Sequence, residues 1–83
     1  MNGWSMFTVK QISMARAALG WSFETMAKNC SVSARTLRRI ESEGGFDKAT
    51  PANLRLIRTT LEAAGVEFIG GANDGPGVRL WDV

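Results

Sequence analysis

Eighty-three residues make room for one small domain, and 45% hydrophobic with 22% charged residues is the balance of a folded chain rather than a disordered one. Histidine is absent and Cys30 is the sole cysteine, which excludes an internal disulfide, a structural zinc site and any catalysis that needs histidine. No apolar run approaches the roughly 18 residues of a membrane span, and the opening MNGWSMFTVK lacks the regions of a secretory signal, so a cytoplasmic chain with no membrane partner and no cofactor is expected.

Thr8 opens a Thr-x-x-Gln capping box with Gln11, and Ile12, Ala15 and Leu19 follow at helical spacing until Gly20 stops the helix. Trp21 stands just before Ser22, a good N-cap, and can staple the start of a second short helix whose inward positions are Met26, Ala27 and Cys30. Ser33 caps a third helix, 33–42, with Val32 packing before it and Leu37 and Ile40 inward. Gly44 and Gly45 then break the chain. Thr50 as cap and Pro51 at the first helical position begin a fourth helix, with Leu54, Ile57, Leu61 and Ala64 as its stripe and Gly65 at its end.

Beyond Gly65 the period shortens to that of strands. Residues 66–69 and 78–81 read as two short strands joined by the glycine-rich stretch 70–77. That stretch lacks the Lys-Ser/Thr ending of a phosphate loop and no helix follows it, so it reads as a hairpin connection. Pairing Phe68 with Val78 sets Val66 opposite Leu80 and Glu67 opposite Arg79, which gathers apolar side chains on one face and an ion pair on the other. The expected fold class is mostly α, a bundle of four helices over 1–65 with a short C-terminal β-hairpin over 66–83 in the same domain. Trp4, Met6, Met14, Trp21 and Met26 are expected in the core or packed on caps, and Cys30 as a small buried residue.

The net charge of +2 is unremarkable but unevenly placed. Lys10, Arg16, Lys28, Arg35, Arg38 and Arg39 outnumber Glu24, Glu41 and Glu43 up to Gly45, whereas beyond it acids slightly outnumber bases. If Leu37 and Ile40 face inward, the outer face of the third helix carries Ala34, Arg35, Arg38 and Arg39, with Thr36 and Ser42 at its margins. A helix fits the DNA major groove, where arginine bonds guanine bidentately and neighbouring arginines hold phosphates. The same residues would also serve as a solvated surface on any small helical domain.

The stretch WSFETMAKNCSVSARTLRRIE, 21–41, resembles the helix-turn-helix of the XRE family, the Cro- and lambda-repressor-like regulators. The features that carry the likeness are Ser22 and Glu24 at the start of helix two, Ala27 where the helices touch, Val32-Ser33 at the turn, and Thr36-Leu37 with Ile40-Glu41 in helix three. The likeness spans roughly 8–64, and LEAAGVEFI at 61–69 with GPGVRL at 75–80 is similar to the tail of short stand-alone bacterial members. The resemblance implies a lambda-repressor-like bundle that binds double-stranded DNA, with base contacts from Ala34, Arg35 and Arg39. It places Ser33, Ser22 and Phe23 near phosphates, gives Arg38 either role, and makes Arg16 and Glu41 a structural ion pair. Arg55, near the start of helix four, is a further candidate for the DNA backbone. Two positions depart from the family: Phe23 stands where a glutamine often bonds the backbone, so an aromatic can pack or stack there instead. Ser31 stands where glycine usually supports a positive φ.

Two strands alone are marginal in water and leave two open edges. Val66, Phe68, Ile69, Val78, Leu80 and Trp81 therefore need covering, either by helix four or by a second copy. A second copy would also supply the two-fold symmetry that palindromic operators demand. The expectation is a homodimeric, sequence-specific repressor that reads the major groove with helix 33–42. The alternative from another class is a protein-interaction module, such as an antitoxin or partner-binding domain on the same scaffold. An enzyme is not expected, since no nucleophile–base pair or metal-ligand cluster is recognisable.

Overall fold

The computed structural model describes residues 7–71 and 73–81. Every α-helix in it begins where a hydroxyl can accept a backbone N–H. Thr8 Oγ1 accepts from Gln11 N and Gln11 Oε1 accepts from Thr8 N at 2.7 Å, which completes the capping box at the head of α1, Val9–Leu19. Ser22, Ser33 and Thr50 cap α2 (Phe23–Cys30), α3 (Ala34–Glu41) and α4 (Pro51–Ala63) in the same way, each through the N–H three residues on. Each cap satisfies one of the N–H groups that a helix start leaves without a partner. All four boundaries fall where the sequence places them.

Between α2 and α3 the chain turns through Ser31, at φ +62°, a left-handed conformation that costs any residue with a Cβ. Ser31→Gly is expected to stabilise the domain by about 0.5–1 kcal/mol, the relief of that strain less the entropy glycine gains when unfolded. Thermal unfolding checks it, as a rise of a few degrees in Tm. Between α3 and α4 lies a single 3-10 turn, Phe46–Lys48, which the glycine pair alone does not predict. Phe46 turns inward there and meets the Phe7 ring edge-on at 5.9 Å between centroids. Gly45 is buried against the end of α3, and a Cβ at that position would lie 1.6 Å from the Arg39 carbonyl oxygen, so no side chain fits.

The core gathers side chains from all four α-helices and from β1: Ile12 and Ala15, Met26 and Cys30, Leu37 and Ile40, Leu54, Ile57 and Leu61, and Val66, joined by Val32 from the turn and Phe7 ahead of α1. Trp21 is half-buried against it beside the α2 cap. Met14 corrects an expectation: it lies outside the stripe set by Ile12, Ala15 and Leu19, and it is exposed. Trp4 and Met6 lie outside the described residues.

The hairpin has the expected register. β1 (Val66–Ile69) and β2 (Gly77–Leu80) pair antiparallel with Val66 opposite Leu80, Glu67 opposite Arg79 and Phe68 opposite Val78, the second strand beginning one residue before the expected 78. Val66 is buried, and Phe68 and Val78 are half-buried on the core, while Glu67 and Arg79 pair at 3.5 Å on the opposite face. Alternation sends Ile69 to the ion-pair face. Trp81 joins it there, its indole N–H donating to Glu67 Oε1 at 2.8 Å and its backbone N–H to the Gly65 carbonyl at 2.7 Å.

What fastens the sheet to the helices is a residue that periodicity passes over. Gln11 is fully buried, and its Nε2 lies 3.0 Å from both the Ile69 and the Gly77 carbonyl oxygens, the last pair of the ladder. One side chain thus caps α1 with its oxygen and closes the sheet with its nitrogen. The whole is mostly helical with a small two-stranded antiparallel sheet. Among the described residues no helix is long and apolar enough to cross a membrane.

Candidate nucleic-acid interface

The outer face of α3 follows from what its inner face must do. Leu37 and Ile40 are almost wholly buried, and with an advance of 100° per residue that burial turns Arg35, Arg38 and Arg39 to solvent. Ser33 Oγ accepts from Thr36 N at 3.1 Å and fixes the helix start, with Ala34 half-buried in the first turn. Ser22 caps α2 through Thr25 N at 3.1 Å.

The helix is held in place by the Arg16–Glu41 pair. Arg16 Nε lies 3.0 Å from Glu41 Oε2 and its Nη2 3.1 Å from Oε1, a two-pronged contact that joins α1 to the last residue of α3. Ser13 Oγ donates to the same carboxylate at 2.8 Å, and Arg16 Nη1 reaches the Trp21 carbonyl at 3.2 Å. The Glu41 side chain is only 8% exposed, so these donors replace the water it gives up. Ser13 carries no sequence signal for this role, because its partner lies 28 positions away.

Phe23 stacks rather than facing outward alone. The Arg16 guanidinium carbon sits 4.1 Å from the ring centroid and that of Arg38 sits 5.2 Å away, so the ring joins α1, α2 and α3. Arg38 also pairs with Glu24 in the first turn of α2. The backbone N–H at Glu24 and then the Arg38 guanidinium hold the Glu24 carboxyl below its ordinary pKa. The charge is therefore present at neutral pH, and the pair loosens only as the pH falls through that lowered value.

Arg35 and Arg39 are placed differently. Arg16, Arg38, Arg58 and Arg79 each face a glutamate, whereas among the described residues Arg35, Arg39 and Arg55 are exposed with no carboxylate partner. Three of the site residues expected from the sequence, Phe23, Arg38 and Arg16, are thus drawn into one stacked group, while Arg35 and Arg39 stand clear of it. The hairpin residues form a separate group: Val66, Phe68 and Val78 are turned to the core, and Ile69, Leu80 and Trp81 are between 38% and 54% exposed.

Cys30 is buried, and loss of solvent pushes its thiol above the ordinary range, which is the opposite of what a nucleophile requires. Among the described residues no group of three or more His, Cys, Asp or Glu side chains is arranged to hold a metal ion. No family model matches the chain, and no curated protein or solved structure matches it either.

Proposed function

We propose that this chain is a sequence-specific, double-stranded DNA-binding regulator of the XRE type, with a lambda-repressor-like arrangement of its helices. In this reading α3 enters the major groove, Ala34, Arg35 and Arg39 meet bases from its outer face, and Ser33, Ser22 and Phe23 lie near the DNA backbone at the two helix starts. The single observation that carries the reading is the state of Arg35 and Arg39: two exposed guanidiniums four residues apart, without acidic partners among the described residues, on a helix anchored behind by Leu37, Ile40 and Glu41. Free donors on a rigid helix are what bidentate recognition of guanine requires.

The functional unit in this proposal is a homodimer, acting in the cytoplasm and repressing by occupying promoter DNA. Support comes from the hairpin, whose Ile69, Leu80 and Trp81 make up three of the five exposed large hydrophobic residues among the described ones, the others being Met14 on α1 and Leu56 on α4. Sedimentation at tens of micromolar reads the assembly directly, and a monomer there removes the dimer from the proposal.

The same exposed apolar group favours a second reading, a protein-interaction module that docks a different partner on the hairpin. One experiment separates the two. The folded protein is incubated with a random duplex pool at near-physiological salt, and the retained DNA is sequenced. A two-fold symmetric motif with half-sites about 34 Å apart is the expected result for a dimeric regulator. Absence of any enriched motif from a folded sample shifts the assignment to the interaction module.

A further inference from the structure

Three arginines share the outer face of α3, yet among the described residues only Arg38 meets an acid. Its guanidinium pairs with the Glu24 carboxylate across the α2–α3 turn and lies over the Phe23 ring, with both charged side chains more than half exposed. Stability accounts for this carboxylate only in small part, through its place in the first turn of α2 beside its own backbone N–H. An exposed pair adds little to folding, and Glu24 sits beside the surface that would have to approach a polyanion.

We infer that Glu24 is a specificity-determining residue: by occupying Arg38 it withholds that guanidinium from phosphate and lowers sequence-independent DNA affinity, leaving base reading to Arg35 and Arg39. The inference rests on the DNA-binding reading above. A phosphate that takes Arg38 has first to displace Glu24 and then to lie beside its uncompensated negative charge, so one residue opposes backbone binding twice. Base reading by Arg35 and Arg39 involves neither cost, because neither has an acidic partner among the described residues. A regulator competes against a vast excess of non-operator DNA, so weakening phosphate contacts raises the ratio on which target finding depends. Phe23 keeps Arg38 in reach of Glu24 by stacking beneath it. Because the Glu24 carboxyl is held below its ordinary pKa, the restraint is permanent at neutral pH rather than a pH switch.

The test is a titration of random-sequence duplex, followed by fluorescence anisotropy at several salt concentrations, with wild type, Glu24→Gln, Arg38→Ala, the double variant, and Asp74→Asn as a matched charge change in the hairpin loop. Glu24→Gln is expected to tighten non-operator binding about fivefold at low salt and to steepen the salt dependence by about one unit, the mark of one added phosphate contact. Asp74→Asn is expected to produce a smaller gain, and Arg38→Ala is expected to cancel the Glu24→Gln gain in the double variant. The inference is overturned if Glu24→Gln matches Asp74→Asn, if its gain survives Arg38→Ala, or if it weakens binding, which would make Glu24 a direct DNA contact. These results, with wild type still binding duplex, sink the inference alone. If no variant binds duplex while circular dichroism shows them all folded, the DNA-binding reading falls and the inference goes with it.

Discussion

Gln11→Ala is expected to lower the unfolding free energy by about 3 kcal/mol, the largest loss anticipated from any single polar residue here. The side chain is completely buried and bonds four backbone groups: Thr8 N–H at 2.7 Å, the carbonyls of Ile69 and Gly77 at 3.0 Å each, and that of Gly70 at 3.4 Å. Truncation uncaps α1, leaves two carbonyls of the hairpin short of a donor, and opens a void behind them. In a domain of this size each kcal/mol shifts Tm by about 4–8 °C, so a fall of roughly 10–25 °C is expected in thermal unfolding. Gln11→Met separates the causes. It fills the volume without offering a donor or acceptor, and it is expected to recover only the part of the loss that belongs to the void.

Removing Arg35 and Arg39 together is expected to weaken operator binding by about 4 kcal/mol, on the order of a thousandfold in Kd, while folding is barely touched. Each guanidinium, if bidentate to a base, is worth about 1–3 kcal/mol, and the single variants should each relax a different base position. Both side chains are exposed, and neither takes part in a hydrogen bond or ion pair among the described residues, so Tm is expected to stay within a few degrees of wild type. Selection of duplex by each single variant reports which position has become tolerant. A uniform loss across all sequences would instead make the two arginines phosphate clamps, and an unchanged Kd would take α3 out of the interface.

Much of the fold is legible in the sequence because its determinants are local. Thr8, Ser22, Ser33 and Thr50 announce helix starts within three residues of the groups they cap, and the hairpin register follows from matching Phe68 with Val78. The left-handed turn at Ser31 is legible too, through its position relative to glycine in the family it resembles. What escapes are the arrangements between distant segments. Gln11 reads as a capping residue and nothing more, since its second set of partners lies 58 and 66 positions away. Met14 reads as core by type, although its place on the helix turns it outward. In the candidate site, the sequence marks Arg35 and Arg39 as base readers and leaves Arg38 either role, without showing what sets Arg38 apart. The distinction among them comes from Glu24 and Phe23, which reach α3 only once α2 has folded back along it.

The link between Gln11 and the last rung of the ladder also constrains how two copies could assemble. Lifting the hairpin away breaks the bonds to Ile69 and Gly77, strips Val66 and Phe68 from the core, and leaves the buried Gln11 amide without acceptors. Detachment is therefore a partial unfolding of the domain rather than the swing of a loose flap. Exchange of whole hairpins between two chains has to cross that barrier, so the dimer proposed above is expected to form by laying intact units side by side, with each sheet still bolted to its own first helix.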